Sequence, residues 1–225
     1  MLKILFEDQH LIVLSKPAGL LSQGEHTGDE NLVDLLREHF GRNYVGLIHR
    51  LDRNTSGLMV VAKRTKAAQR LTDSLQQGDL KRNYLAWVHG RLKSEKHWSH
   101  FLSKNEKTNT VSVIKNPSQG KKSTLTARPL ASGTWDTHPL TLVEFILETG
   151  RSHQIRVQSA FEGFPLLGDS KYGSSLEIKI SFPRTALHSH FLSFPHPMSK
   201  ETLQWHDALP PDMNQIPQLP LDLSP

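Results

Sequence analysis

The stretch from His49 to Lys63 reads HRLDRNTSGLMVVAK and combines an acidic residue, a polar turn and an apolar run. Residues 58–62 (LMVVA) are continuously apolar over a length typical of a buried strand. Residues 53–57 (RNTSG) have turn composition and include a glycine for an unusual backbone dihedral angle. Asp52 is therefore predicted to lie where a strand gives way to a loop, and loops held by a sheet commonly display catalytic groups.

Asp52 has two interpretations on local sequence. An aspartate that opens a turn most often accepts hydrogen bonds from the backbone of that turn. Here Arg50 and Arg53 flank it, and nearby cations favour the charged form of a carboxylate. A charged, positioned carboxylate serves as a nucleophile or a base. The local sequence leaves both interpretations open.

The composition indicates one domain with a polyanionic partner. The chain has 225 residues, of which 36% are hydrophobic, and this suffices for a substantial core. We expect one domain over residues 1–206 and a proline-rich, irregular tail over residues 207–225. Lys and Arg outnumber Asp and Glu by 27 to 22, for a net charge of +5. The absence of cysteine excludes disulfides, thiol nucleophiles and thiolate zinc sites.

The N-terminal segment has no features of a targeting or membrane sequence. Its apolar run meets charge at Glu7 and Asp8, so it is too short for the core of a signal peptide. No segment approaches the roughly 18 consecutive apolar residues that indicate a membrane span. We expect a cytoplasmic protein that does not contact a membrane.

Hydrophobic periodicity and breaker residues predict more strands than helices. Strands are predicted at residues 4–7, 11–15, 58–62, 82–89, 123–128, 140–147 and 186–194. Helices are predicted at residues 31–40, from a cap at Thr65 to Gly78, and at 152–161. Because strands and helices do not alternate regularly, the predicted class is α+β, a mixed and largely antiparallel sheet with flanking helices.

Two further regions carry basic residues. Residues 92–122 are rich in lysine, and this pattern fits a solvated hairpin as well as a phosphate-binding surface. Residues 150–156 (GRSHQIR) place Arg151, Gln154 and Arg156 at the start of a predicted helix, where anions are attracted. An ordinary capped helix with exposed arginines explains the same pattern.

Motifs for other chemistries fail on inspection. Ser56-Gly57 lacks the upstream glycine of a nucleophile elbow, and no phosphate-binding or dinucleotide-binding fingerprint is present. His188 and His190 share one face of a predicted strand, but no third metal ligand is evident at a recognisable spacing. We therefore expect neither a metal nor a cofactor.

Three segments together resemble the signature regions of the RluA family of pseudouridine synthases, in the same order. They are HRLDRNTSGLMVVAK, KRNYLAWVHG and LETGRSHQIRVQSAFEGFPLLGDSKYG. The flanking segments ILFEDQHLIVLSKPAGLLSQ and ALHSHFLSFPHP are similar as well, so the resemblance covers residues 4–196. The resemblance implies the pseudouridine synthase fold and an isomerase that acts on uridine in RNA, without a cofactor or metal.

The resemblance also implies a role for each matching residue. Asp52 matches the catalytic aspartate, and Tyr84 matches the tyrosine that stacks on the target base and is a candidate for removing the C5 proton. Arg156 matches the basic residue that pairs with the aspartate, and Ile155 the apolar residue of the same pocket. Arg50 matches the arginine that fills the gap left by the flipped nucleotide. The substrate-binding set is completed by Arg151 and Gln154 from the basic segment.

Two departures from the family pattern bear on function. An S4-type RNA-binding domain, frequent in the family, is not expected here, so RNA affinity should come from the catalytic domain. Gln158 stands where the family often has histidine, which we expect to affect packing more than catalysis. We expect a monomer that acts on ribosomal or transfer RNA without an obligate protein partner. The rival hypotheses are a non-catalytic RNA-binding or chaperone protein and, more remotely, a metal-dependent nuclease.

Overall fold

The computed structural model describes residues 2–25, 28–173 and 182–221. The chain divides into two compact units. The first comprises Met1–Arg82 and His188–Ala208, and the second comprises Asn83–Leu187 and Leu209–Pro225. No helix in the described ranges is both long and apolar enough to cross a membrane.

The elements are, in chain order, β1 (Lys3–Glu7), β2 (Leu11–Lys16), α1 (Leu32–Phe40), β3 (Gly46–Leu47), β4 (Ser56–Ala62), α2 (Thr65–Gln77), β5 (Lys81–His89), β6 (Lys96–Asn105), β7 (Thr110–Ile114), β8 (Lys121–Trp135), β9 (His138–Leu147), α3 (Gln154–Phe161), β10 (Leu187–Pro195), β11 (Thr202–His206) and α4 (Pro211–Asn214).

The first unit is built on β4. All of its residues are buried, as the apolar run predicted. β2 pairs with β4 antiparallel, and β1 pairs with the other edge of β2. β3 also pairs with β4, while β10 runs parallel to β4 at Ser56 and Gly57 and carries β11 antiparallel. The sheet of this unit is therefore mixed.

Helices α1 and α2 belong to the first unit, and both end at the glycines that the sequence indicated. Asn31 caps α1 by accepting a hydrogen bond from the Asp34 N–H at 3.1 Å, and Gly41 ends it in the left-handed region. Gly78 ends α2 in the same way. The predicted cap at Thr65 is wrong, because Thr65 is already helical and Arg64 occupies the cap position without a side-chain bond.

In the described part of the second unit, the strands pair antiparallel in the order β5-β9-β8-β6-β7. Trp87, Leu140 and Leu167 belong to its main core, and α3 packs on β6 and β7 through Val157, Leu102 and their neighbours. The predicted α+β class with a mixed, largely antiparallel sheet is confirmed by these pairings.

The proline-rich segment after residue 206 contains one short helix, α4, and is otherwise irregular up to residue 221. It is nevertheless packed. Met213 and Ile216 are buried in the core of the second unit, and the Trp87 Nε1–H donates to the Met213 carbonyl at 2.9 Å. Residues 222–225 lie outside the described ranges, and the proposed division into a catalytic domain and a tail stays a prediction.

Candidate active site

Asp52 lies in the first unit, half-buried between β3 and β4. β3 ends at Leu47, so the predicted strand does not reach Asp52. The turn after Asp52 is closed by the Thr55 N–H, which donates to the Asp52 carbonyl at 3.0 Å. On the other side, the Ser22 hydroxyl donates to the Leu51 carbonyl at 2.7 Å and accepts from the Leu51 N–H at 3.1 Å. The backbone on both sides of the aspartate is thereby fixed.

A buried lysine, Lys16, donates a hydrogen bond to the same turn. The Arg53 carbonyl accepts hydrogen bonds from the Gly19 N–H at 2.8 Å and from Lys16 Nζ at 3.2 Å. The fully buried Lys16 ammonium also donates to the carbonyls of Pro17 at 2.9 Å and Leu20 at 2.7 Å. Burying an ammonium is costly unless its donors are used, and here backbone carbonyls take them. The segment after β2 therefore supports the loop that carries Asp52.

The arginines on either side of Asp52 have different environments. Arg53 donates from Nη1 to the Asp29 carboxylate at 2.7 Å and from Nε to the Gly19 carbonyl at 3.1 Å. Arg53 therefore forms an ion pair with Asp29, and its predicted influence on the charge of Asp52 stays a prediction. Arg50 is exposed, a position open to a bound nucleic acid, and its predicted role stays a prediction.

His49 is a structural acceptor rather than an acid. It is buried, and its Nε2 accepts a hydrogen bond from the Val60 N–H of β4 at 3.4 Å. Burial, followed by the positive charge of Arg82, lowers the pKa of His49 to about 3. The imidazole is therefore neutral at physiological pH and serves to hold the approach to Asp52 against β4.

The other predicted site residues lie in the second unit. Tyr84 is buried on β5, directly opposite Phe145 of β9. Ile155 is buried near the start of α3, with 5% of its surface exposed. Both positions suit apolar contact with a planar ring, and their roles stay predictions.

Arg156 forms a bidentate ion pair that sequence reasoning missed. Its Nε donates to Oδ2 of Asp169 at 2.7 Å and its Nη2 donates to Oδ1 at 2.9 Å. Burial alone would raise the pKa of Asp169, but the hydrogen bond and charge of Arg156, together with the backbone N–H groups of Tyr172 and Lys171, lower that pKa. The predicted pairing of Arg156 with Asp52 stays a prediction.

The segment before α3 folds around Gln154. Its Oε1 accepts from the Arg151 N–H and the Thr149 hydroxyl, both at 2.9 Å, and its Nε2 donates to the Thr124 carbonyl at 3.1 Å. Both ends of this buried amide bond within the protein, which gives Gln154 a structural role, and the predicted substrate contact stays a prediction. Arg151 is exposed and bonds to the Lys122 carbonyl at 3.4 Å, so it remains a candidate for a phosphate contact.

The two remaining sequence observations concern Gln158 and His188. Gln158 is fully buried and donates to the Ser123 carbonyl at 3.2 Å, which agrees with a packing role. His188 is buried with its Nδ1 2.9 Å from the Ser56 hydroxyl. No cluster of three or more acidic or histidine residues capable of holding a metal ion occurs in the described parts of the chain.

A protein-family model described as RNA pseudouridylate synthase matches residues 10–161. The chain belongs to the RNA pseudouridylate synthase family. Its members isomerise uridine in RNA to pseudouridine, and the predicted resemblance to pseudouridine synthases is confirmed.

Related members of this family cover nearly the whole chain. Ribosomal large subunit pseudouridine synthase D of Nitrosomonas europaea is 39% identical over 96% of this chain and 64% of its own length. Ribosomal large subunit pseudouridine synthase C of Pasteurella multocida is 34% identical over 95% of this chain and 66% of its own length. The chain therefore spans about two thirds of the length of these relatives.

A solved structure of the family has the same fold. Human RNA pseudouridylate synthase domain containing 1 superposes with a TM-score of 0.82 at 24% identity, covering 100% of this chain and 91% of that one. This confirms the pseudouridine synthase fold.

Three residues that support the candidate site escaped prediction, namely Lys16 and Ser22 in the first flanking segment and Asp169 in the third signature segment. All lie in segments that carry the resemblance, so their positions were visible. Their partners were not visible, because a lysine that bonds carbonyls and a serine that bonds a distant backbone leave no periodic signal. Only the fold brings such groups together.

Proposed function

We propose that this protein converts uridine to pseudouridine in RNA, with Asp52 as the essential catalytic group. The family match over residues 10–161 carries this proposal, because it contains Asp52, Tyr84, Ile155 and Arg156 in the expected order. The fixed backbone around Asp52 supports it, since a catalytic carboxylate must be held in a defined position.

The reaction is an isomerisation, so its atoms balance within the substrate and water. The bond between N1 and C1′ of uridine breaks, the uracil rotates, and a bond forms between C5 and C1′. The C5 proton leaves, and N1 gains a proton. In each route the aspartate acts as a charged carboxylate, whether it attacks the sugar, attacks the base or removes a sugar proton.

The remaining roles follow from what a nucleotide in folded RNA requires. Its glycosidic bond is hidden, so the enzyme must extrude the base at a cost of a few kcal/mol. Stacking on the Tyr84 ring contributes about 1–3 kcal/mol toward this cost. Ile155 supplies apolar contact, Arg50 fills the space that the base leaves, and Arg156 supplies positive charge that favours the ionised aspartate.

The substrate that we propose first is ribosomal RNA of the large subunit. The relatives named above carry that substrate in their names. Transfer RNA is the second substrate to test. The exposed Arg50 and Arg151 suit contacts with phosphates, and the net charge of +5 favours such a partner. We propose that the protein acts as a monomer in the cytoplasm without a protein partner.

Release of tritium from RNA labelled at uridine C5 tests this function directly. Unmodified transcripts of large-subunit ribosomal RNA and of transfer RNA are offered separately, with excess chelator present. We expect release from the ribosomal RNA at an unchanged rate with chelator. RNA binding without release from either transcript would contradict catalysis and favour the binding protein, while strand cleavage that chelator abolishes would favour the nuclease.

A further inference from the structure

Two contacts within the second unit hold the guanidinium of Arg156, one with a carboxylate and one with an aromatic ring. The Asp169 carboxylate takes Nε and Nη2 in the bidentate geometry, with distances of 2.7 and 2.9 Å. The ring of Tyr172 lies 5.2 Å from the Arg156 Cζ. The bidentate carboxylate sets the orientation of the planar fork, and the cation–π contact with the ring adds a second constraint on its position.

Asp169 is itself held by its own turn. Its Oδ1 accepts from the backbone N–H groups of Lys171 at 3.0 Å and Tyr172 at 3.1 Å, and its carbonyl accepts from the Gly173 N–H at 2.8 Å. The Asp169 side chain is fully buried, whereas 12% of the Arg156 side chain is exposed. The carboxylate is therefore held inside the protein, and the arginine is the partner that keeps a small exposed surface.

Tyr172 is also held by hydrogen bonds. Its hydroxyl accepts from the Val111 N–H of β7 at 2.9 Å and lies 2.7 Å from His153 Nδ1, at the start of α3. The ring under Arg156 is thus connected to a neighbouring strand and to the helix that carries the arginine. An arginine side chain has many rotamers and loses entropy when it is ordered, and these contacts order it before RNA binds.

We propose that Asp169 is a positioning residue for Arg156 in the pseudouridine synthase reaction, and that it sets the direction in which the third guanidinium nitrogen, Nη1, presents its donors. This inference rests on the proposed function. It assigns Asp169 no contact with the substrate. Its effect is on the rate of the chemical step, because a group misplaced by about 1 Å in an active site can cost about 100-fold in rate.

The variant Asp169→Asn separates this role from a merely structural one. An asparagine keeps Oδ1, and with it the bonds from the Lys171 and Tyr172 N–H groups that maintain the turn. Its amide nitrogen replaces Oδ2 and places a donor against the Nε–H of Arg156, which is also a donor. The change therefore breaks one bond to Arg156 and removes the carboxylate charge, while it leaves the turn in place.

A matched control exists in the same unit. Asp212 binds Arg184 in the same bidentate way, with distances of 2.6 and 3.0 Å, and its Oδ1 accepts from the Met213 N–H at 2.9 Å. Neither Asp212 nor Arg184 belongs to the proposed machinery. Asp212→Asn makes the same chemical change at an ion pair of the same geometry, so it measures the general cost of weakening such a pair.

The experiment measures single-turnover tritium release and RNA dissociation constants for the wild type and both variants. We expect Asp169→Asn to lower the rate about 10- to 100-fold and to change the dissociation constant less than about threefold. Asp212→Asn should leave both values within about twofold. In an Arg156→Lys background, which lacks the fork, Asp169→Asn should have less than about a threefold further effect.

Three results would overturn the inference. An unchanged rate for Asp169→Asn would show that Arg156 needs no anchor, while an active wild type would leave the proposed function standing. If Asp169→Asn lowers the rate in the Arg156→Lys background as much as it does in the wild type, Asp169 acts independently of Arg156. A wild type that binds both RNAs without activity on either would overturn the proposed function, and this inference with it.

Discussion

At the scale of single residues, Gly57 shows how the sequence around Asp52 is dictated by the backbone. Its φ of 111° lies in a region that side chains disfavour. A Cβ built there would lie 2.2 Å from the Ser189 carbonyl oxygen of β10, which pairs with Gly57. The turn composition predicted a glycine for an unusual dihedral angle, and this is confirmed. The close approach of β10 could not be predicted, because it comes from a strand more than 120 residues later.

The variant Gly57→Ala should therefore be severely destabilised. The added methyl group requires both backbone strain and separation of β4 from β10, and we expect a loss of more than about 3 kcal/mol in the free energy of unfolding. Urea denaturation measures it. Gly41→Ala is the control, since Gly41 has a positive φ of 61° with no atom within 4 Å of the added Cβ. It should lose only about 1–2 kcal/mol. Equal losses in the two variants would argue against the role of the close approach.

At the scale of elements, local signals predicted helices and buried strands well. α1 and α2 end at glycines because capping is encoded within a few residues. β11 was missed, and the polar strands β6 and β7 were only partly anticipated. The residues of β6 and β7 mix exposed and buried positions without a clean alternation, so these strands are defined by pairing with distant strands. β11 does alternate, with Leu203 and Trp205 packed on the core of the first unit, so its pattern was a signal that the prediction missed.

The candidate site shows the same division between local and distant signals. The motifs identified Asp52, Tyr84 and Arg156 as residues of interest. They did not reveal that the Gln154 side chain bonds to the Thr149 hydroxyl and the Arg151 N–H, nor that Arg156 forms an ion pair with Asp169. A sequence motif records which residue type is needed at a position, and the path of the chain decides what that residue contacts.

The turn before α3 carries a prediction about RNA binding. Arg151 is exposed beside Lys122, and the proposed function gives it a phosphate contact. Arg151→Gln should raise the RNA dissociation constant several-fold and reduce the slope of log affinity against log salt by about 1. The rate at saturating RNA should stay unchanged. Lys66→Gln, at an exposed position on α2, is the control. An unchanged salt slope for Arg151→Gln would remove Arg151 from the binding surface.

At the scale of the whole molecule, two compact units are each assembled from segments distant in the chain. The first recruits residues after 187, and the second recruits residues after 208. The segment beyond residue 208 illustrates why this was hard to predict. Its prolines indicate irregular structure, which is largely what it has, but Met213 and Ile216 are core residues. Composition predicts the absence of regular elements and says little about burial.

The stability of the whole molecule should depend on pH through His49. Its pKa is lowered to about 3 in the folded state, so between about pH 6.5 and 3 the unfolded chain binds one more proton there. The contribution of the neutral, buried His49 to the free energy of unfolding is complete above pH 6.5. It is lost as the pH falls, by up to about 1.4 kcal/mol per pH unit.

The variant His49→Gln should show a shallower decline in the free energy of unfolding over this window. Denaturant titrations at several pH values between 7 and 4 measure the slope. His97→Gln, at an exposed position, is the control and should retain the slope of the wild type. A decline for His49→Gln as steep as that of the wild type would mean that the buried imidazole does not control it.

Asp52 is the residue on which the proposed catalysis depends most directly. The measurement is single-turnover release of tritium from C5-labelled large-subunit ribosomal RNA by the wild type, Asp52→Asn and Asp29→Asn, with folding and RNA binding checked for each. Asp29→Asn tests the neighbouring carboxylate, which pairs with Arg53. We predict release by the wild type and Asp29→Asn and at least a 1,000-fold lower rate for Asp52→Asn, because an amide cannot act as a nucleophile or base. Release by Asp52→Asn at the wild-type rate would contradict the account.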